Sequence, residues 1–438
     1  MLGDSLERLK LLALQQHFVP RLRIAWNYAQ IGLLLLPLIP PMGGVAIFLA
    51  LVASWRRQYY VIIRRPLNWG LAALAGLLVL TVAFAANRFD AFLGLFNFLP
   101  YFIAFAAFSE LFQTLLQLRR ISWILVISSV PAVVIGLGQL FWGWVSPEQW
   151  QGILGWAIAP QGNPPGRMAS IFMYANTFAG YLVIVFILGL GLWLEKYQQL
   201  ITSKEVKGLA FLFLTVAIIG DLAALILTNS RNAWAIALLA CFVYAVYQGW
   251  RWLIAGVVAI ASSILWAAFG TNPLRDLLRN IVPAFFWARL TDQLYPDRPD
   301  ALLRTSQWRF AWHLATERPW TGWGLRNFSV LYEAKMQLWL GHPHNLFLML
   351  AAEIGIPITL FFCSLVGLVL VSAIALLINW QHSNADKLIF FSYVLAFIAC
   401  TLFNSVDVTL FDLRLNTLAW LLLSAICGIV YRDNSFKA

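Results

Sequence analysis

Charged residues are scarce in this chain of 438 residues. They make up 11% of the sequence, whereas hydrophobic residues make up 61%, and the mean hydropathy is +0.77. A soluble protein of this length cannot hide so much apolar surface in one core, while separate stretches of about 20 apolar residues suit the hydrocarbon of a bilayer. The composition therefore excludes a soluble globular protein and predicts a polytopic membrane protein.

Cysteine is also rare, and its positions form no functional pattern. All four cysteines lie inside apolar stretches, without the CxxC spacing of metal or redox sites. The chain also lacks GxxxxGK[ST], HExxH and GxSxG motifs. These absences exclude a disulfide framework and argue against P-loop, zinc-protease and serine-hydrolase chemistry. We expect neither a cofactor nor a bound metal.

Twelve apolar runs predict an all-α, polytopic integral membrane protein with about 12 transmembrane helices. The first two are short and joined by Pro40-Pro41, so a re-entrant pair is an alternative to two full spans. The run 345–378 is too long for one straight span, and we expect Gly355 and Pro357 to break it after a short leading helix. The runs are 26–39, 42–54, 68–86, 91–108, 121–142, 172–194, 207–228, 232–249, 251–269, 345–378, 388–404 and 414–431.

Lysine and arginine placement predicts the orientation. With an even number of spans, 17 of these residues fall on the side of both termini and 4 in short loops on the other side, while the remaining 9 lie between 270 and 344. By the positive-inside rule both termini are cytoplasmic and the segment 270–344 is a large external helical loop. The cytoplasmic share of the positive charge is thus topological, and nucleic-acid binding is not needed to explain it; the external share is not explained by topology.

The predicted layout follows from this topology. Residues 1–25 form a cytoplasmic amphipathic N-terminus, and 26–269 hold helices one to nine with an external loop at 143–170. The large external loop occupies 270–344. Residues 345–431 hold the last three helices, and 432–438 form a cytoplasmic tail.

Histidine is a third scarce residue, and two of the five lie in the stretch GHPHN before an apolar run. Since Pro343 suits the first turn of a helix, we expect His344 and Asn345 at a helix N-terminus. The helix field there favours a neutral imidazole, which accepts a proton near physiological pH. Together with the neighbouring arginines, this favours His344 as a base, with His342 and Asn345 beside it, over histidines that only cap a helix or face lipid headgroups.

Arginines at the edges of apolar runs predict an anion site. Arg231 interrupts two apolar runs in ILTNSRNAWAIALL, and Arg304 lies in the first turn of a helix predicted from about Leu302 to Glu317. A guanidinium binds phosphate oxygens through paired hydrogen bonds. We therefore expect Arg231 and Arg304 to bind an anion, with Arg309 behind them; snorkelling to headgroups is the alternative.

Three carboxylates and one amide, Asp221, Asn404, Asp407 and Asp412, are polar residues within or beside the spans. Asp221 falls well inside an apolar run and fits either a proton or ion path or helix packing. Glu353 lies about 13 Å along a helix from His344 and half a turn around it, so no dyad with His344 is expected.

Four segments in order resemble the O-antigen ligase superfamily of bacterial membrane glycosyltransferases. They are GRMASIFMYANTFAGYL at 166–182, NSRNAWAIALL at 229–239, Arg304-x-x-x-Trp308 followed by RPWTGWG at 318–324, and His344-Asn345 followed by nine residues and Gly355. The resemblance implies a twelve-span fold in the bacterial inner membrane, with a large periplasmic loop forming a cavity over the bilayer.

The resemblance also implies an activity. Members transfer a glycan from an undecaprenyl-pyrophosphate carrier to a hydroxyl of a lipid A core, a growing polysaccharide or a protein, with inversion and without metal or nucleotide. By position, Arg231 and Arg304 would hold the pyrophosphate, His344 would be the essential histidine, and Arg167 and Asn176 of the first segment would contact substrate. A polymerase of the same superfamily is one alternative. A bicarbonate or small-solute transporter is another, because a tryptophan-rich cyanobacterial branch carries an inorganic-carbon label.

Overall fold

The protein is an all-helical bundle in the part of the chain that the structure describes. The computed structural model describes residues 14–203, 208–291 and 299–437, and no strand occurs in those ranges. The helices are α1 Arg23–Leu35, α2 Pro40–Arg64, α3 Pro66–Ala83, α4 Arg88–Gly94, α5 Leu99–Leu111, α6 Leu115–Phe141, α7 Gln149–Leu154, α8 Ala175–Ser203, α9 Gly208–Leu227, α10 Arg231–Gln248, α11 Arg251–Phe269, α12 Leu274–Ile281, α13 Ala284–Leu290, α14 Arg304–Glu317, α15 Asn327–Met336, α16 Leu346–Ile354, α17 Ile356–Ile378, α18 Asn384–Asn404 and α19 Leu413–Lys437. The predicted all-α class is confirmed, whereas residues 1–13 of the predicted amphipathic N-terminus lie outside the described ranges.

Nine helical segments within the described ranges are long and apolar enough to cross a membrane. They correspond to nine of the twelve apolar runs. The other three runs form α1, α2 and α10. With 13 residues, α1 is about 20 Å long and shorter than the bilayer core. The second half of α2 contains Arg56, Arg57 and Arg64, and α10 begins and ends in polar residues.

Helix α8 lies at the centre of the bundle. It packs against α6, α9, α10 and α18, and 83% of an 18-residue apolar window within it is buried. A Cβ on Gly191 would lie 2.1 Å from Ser392 Oγ, so a glycine is what lets α8 approach α18 so closely. This packing fixes the start of α8 beside the end of α18, where two residues of the candidate site lie.

The leading helix α16 and the span α17 meet at Gly355, as the sequence predicts. Gly355 has φ +86° and ψ 157°, a conformation essentially restricted to glycine. The turn RPWTGWG packs against this break: the Ile356 N–H donates to Pro319 O at 2.8 Å, and the Trp323 N–H donates to Ala352 O at 2.9 Å. These bonds tie the exit of α14 to the α16–α17 junction.

A Gly355→Ala variant should be less stable by about 1–3 kcal/mol. Its Cβ would lie 2.5 Å from Trp320 O, in a backbone conformation that alanine rarely adopts. Thermal unfolding in detergent measures the difference. Gly76→Ala in α3 is the matched control, because nothing lies within 4 Å of its added Cβ. Equal unfolding temperatures for the two variants would contradict this account of the break.

The buried carboxylate Asp221 connects two spans. Ser129 Oγ of α6 donates to Asp221 Oδ2 of α9 at 3.3 Å, and both residues are buried. This contact agrees with helix packing, the second of the two interpretations that the sequence leaves open.

Candidate functional site

A cavity of about 390 Å³ lies where several spans end, and it brings distant parts of the sequence together. Three of its lining residues are arginines, and one is a histidine. The lining residues are Arg167, Asn176, Asn229, Ser230, Arg231, Asn232, Leu303, Arg304, Thr305 and His344. The two arginines and the histidine predicted as the core of the site therefore share one hollow.

Two helices begin at this cavity with an arginine as their first residue. Arg231 starts α10 after Asn229, which turns the chain with φ +54°, and Arg304 starts α14. Neither start has a side chain that caps the first-turn N–H groups. Uncapped N–H groups and the helix dipole make a helix start attractive to anions. Two guanidinium groups and two helix N-termini thus converge on the same space.

His344 precedes α16 instead of lying in its first turn. It has φ +52°, and Asn345 is the N-cap residue, whose Oδ1 accepts the Leu348 N–H at 3.0 Å. His344 and Asn345 therefore lie at the N-terminus of α16, as the sequence predicts, and the left-handed backbone of His344 places this residue just before the N-cap. Helix capping is the contact that the structure shows for Asn345, which does not line the cavity.

Asp407, in the loop between α18 and α19, is the partner of His344. Its Oδ1 lies 3.0 Å from His344 Nδ1 and accepts the Val408 N–H at 2.9 Å, while Oδ2 accepts the Asn176 amide at 2.7 Å. Burial would raise the pKa of Asp407, but the His344 contact, the two imidazoles and the Val408 N–H outweigh burial and lower it. Because an ionised carboxylate only accepts hydrogen bonds, His344 Nδ1 donates, and in the neutral form of the imidazole the lone pair is on Nε2.

A hydrogen-bonded chain extends this pair along the cavity wall. Arg167 Nη2 donates to Asn176 Oδ1, Asn176 donates to Asp407, and Arg167 Nε donates to Thr228 O at 2.8 Å. Arg167 and Asn176 both line the cavity, so the structure places them in the predicted site. Arg167 and Asn176 thus fix the position of Asp407, and Asp407 in turn orients His344.

His342 contacts both the backbone and the ring of His344. Its Nδ1 accepts the His344 backbone N–H at 3.2 Å, and the two rings lie 4.5 Å apart at 81°. Burial is the main cause that lowers the pKa of His342 to about 4, with His344 and Arg304 acting in the same direction and Asp407 opposing. His342 is therefore a neutral neighbour of the base and does not line the cavity.

Arg309 lies outside the cavity. It is exposed on α14, five residues beyond Arg304 and on a different face of the helix. Glu353 is also outside: it is buried, and its Oε1 accepts the Phe328 N–H at 3.2 Å. Sequence periodicity places Arg304 and Arg309 on different faces, but only the packing of α14 decides which face meets the cavity.

One group of side chains in the described ranges has donor atoms spaced for a metal ion, namely His342, His344 and Asp407, with those atoms within 4.8 Å of one another. The hydrogen bonds of this group use the same atoms. His342 Nδ1 accepts an N–H, which leaves the proton on Nε2 facing Asp407, and His344 Nδ1 donates to Asp407. Metal binding would have to displace these protons and bonds.

The described helices, with a basic, histidine-containing cavity where several spans end, are those of an integral membrane protein. Residues 216–363 match the family model described as O-Antigen ligase. This match supports membership of the O-antigen ligase superfamily and, with it, glycosyltransferase-like activity on lipid-linked glycans in general. No curated protein matches the chain.

The matched segment contains Arg231, Arg304 and His344, whereas Arg167, Asn176 and Asp407 lie outside it. The sequence analysis names Asp407 among the polar residues in or beside the spans but does not predict it as the partner of His344. In the sequence, Asp407 is recognisable as a carboxylate in the polar break between two apolar runs. Asp412 lies in the same break.

Proposed function

We propose that this protein transfers a glycan from an undecaprenyl-pyrophosphate carrier to a hydroxyl acceptor, as an O-antigen ligase-type glycosyltransferase. The observation that carries the proposal is the meeting of Arg231, Arg304 and His344 in one cavity. In this proposal the cavity faces the periplasm, and both termini are cytoplasmic in the bacterial inner membrane. A lipid A core or another surface glycan is the acceptor, and a polymerase acting on a second carrier-linked glycan is the alternative within the same chemistry.

The leaving group is a pyrophosphate, and the cavity is suited to its charge. As the glycosidic bond breaks, negative charge develops on the phosphate oxygens. Arg231 and Arg304 stabilise that charge through paired hydrogen bonds, and the starts of α10 and α14 add their N-terminal field. Guanidinium groups thus do the work that Mg²⁺ does in many phosphate-handling enzymes.

The acceptor is activated by His344 in this mechanism. Nε2 takes the hydroxyl proton while the acceptor oxygen forms a bond to the anomeric carbon from the face opposite the pyrophosphate. The bond from that carbon to the pyrophosphate oxygen breaks, the electron pair leaves with the carrier, and the configuration inverts. Asp407 holds the imidazole and stabilises its protonated form. No metal or nucleotide enters the sequence of steps.

A deletion strain tests the proposal. Loss of the gene should make unligated lipid-linked glycan accumulate and should shorten or remove a surface glycan; a plasmid copy should restore both. Arg304→Ala should fail to complement, because a charged partner of the leaving group is lost. Arg309→Ala on the same helix is the matched control and should complement, since Arg309 is exposed and outside the cavity.

Two outcomes would count against glycan transfer. The first is an unchanged pool of lipid-linked glycan in the deletion strain. The second is lost uptake of labelled bicarbonate together with an unchanged surface glycan, which would support the transporter alternative instead.

A further inference from the structure

A second concave surface lies on the side of the bundle, between α10, α17 and α18. It is an apolar groove of about 490 Å³ that shares no lining residue with the cavity. Its walls include Val243 and Tyr247 of α10, Leu377 of α17, and Phe391 and Leu395 of α18. Tyr247 and Phe391 stack with ring centroids 4.5 Å apart and form a flat part of the wall.

One charged residue lines this groove: Lys387, in the first turn of α18. Within the described ranges its ammonium has no hydrogen bond or ion pair, and the adjacent Asp386 is bound by Arg119 Nη2 at 2.8 Å. A cation in the first turn of a helix opposes the helix dipole. Lys387 therefore contributes neither an ion pair nor a favourable dipole interaction to the fold, and its charge is available to a ligand.

The position of Lys387 defines the kind of ligand. It lies at the end of α18 opposite the cavity, and the lining residues of α18 run from Lys387 to Leu402, about 22 Å along the helix. That length exceeds the thickness of one leaflet of the hydrocarbon core, about 15 Å, so the groove is long enough for an acyl chain. An ammonium at one end of such an apolar groove matches an anionic headgroup followed by an acyl chain.

We propose that Lys387 and this groove bind an acidic phospholipid, with the phosphate at Lys387 and one acyl chain along Phe391, Val394 and Leu395. Basic residues between helices at a membrane surface are a recurrent way of binding such headgroups. A pyrophosphate-linked carrier fits less well, because its head carries more charge than one lysine balances, and the arginines are at the opposite end. The inference does not depend on the proposed transfer reaction.

Native mass spectrometry of the purified full chain tests the inference with phosphatidylglycerol and phosphatidylcholine of identical acyl chains. One phosphatidylglycerol should bind in preference to phosphatidylcholine. Lys387→Ala should weaken phosphatidylglycerol binding about fivefold and remove the preference, while Lys387→Arg should keep it. Lys196→Ala is the matched control and should change nothing, since Lys196 lies at the same end on α8 but outside the groove.

Val243→Trp is a second variant that fills the groove while leaving Lys387 in place, and it should lower the binding of both lipids. Equal binding of the two lipids to the wild type would overturn the proposal. So would unchanged phosphatidylglycerol binding in both Lys387→Ala and Val243→Trp. Binding of a polyprenyl phosphate at Lys387 in place of phosphatidylglycerol would also overturn it.

Discussion

Replacing His344 by alanine should lower the turnover number for glycan transfer by about 10²- to 10⁴-fold. The variant keeps Arg231 and Arg304, and so keeps the groups that hold the pyrophosphate, but it has no side chain to take the acceptor proton. We therefore expect kcat to fall while the KM for the lipid-linked donor changes little. The measurement is the initial rate of transfer by purified protein in detergent, with lipid-linked donor and acceptor both varied.

His313→Ala is the control for this variant. His313 is an exposed histidine on α14 whose Nε2 lies 3.4 Å from Glu317, and it does not line the cavity. Its loss should leave kcat unchanged. If His344→Ala retains wild-type turnover, His344 is not the base, and the cavity must activate the acceptor in another way.

The sequence predicts the membrane spans well because their signal is local. A run of about 20 apolar residues has few structural options in a bilayer, and nine such runs became candidate spans. The break at Gly355 and the end of α14 before Pro319 are equally local, since both depend on backbone conformations that one or two residues impose.

The site is harder to predict because its geometry is not local. Arg231, Arg304 and His344 are recognisable as unusual residues at the edges of apolar runs, but their shared cavity depends on how α10 and α14 pack. The cap bond of Asn345 is local, but the left-handed backbone of the residue before it, His344, places that residue outside the helical turn. Asp407 reaches His344 only because the loop after α18 folds back over the start of α8.

Asp407→Asn should reduce turnover by about 10²- to 10⁴-fold even though it removes no group that touches substrate. The substitution preserves size, but each amide orientation gives up one contact: an NH₂ in place of Oδ1 cannot accept from Val408, and an NH₂ in place of Oδ2 cannot accept from Asn176. An amide that turns its NH₂ toward His344 donates to Nδ1 and forces the proton onto Nε2, which then cannot accept one from the acceptor. An amide that turns its oxygen toward His344 keeps the tautomer but no longer stabilises the positive imidazole. Either orientation lowers kcat.

The matched control for Asp407→Asn is Asp221→Asn, another buried carboxylate that accepts a side-chain hydrogen bond but lies away from the cavity. A residue with only a structural role would alter thermal stability and leave the kinetic constants of the folded fraction intact, which is what we expect of Asp221. Asp407 should show the reverse: a folded protein that binds donor with nearly normal KM, turns over slowly, and has a changed pH profile for kcat. If Asp407→Asn behaves like Asp221→Asn, the carboxylate merely packs the loop, and His344 must be oriented by the backbone bond to His342 alone.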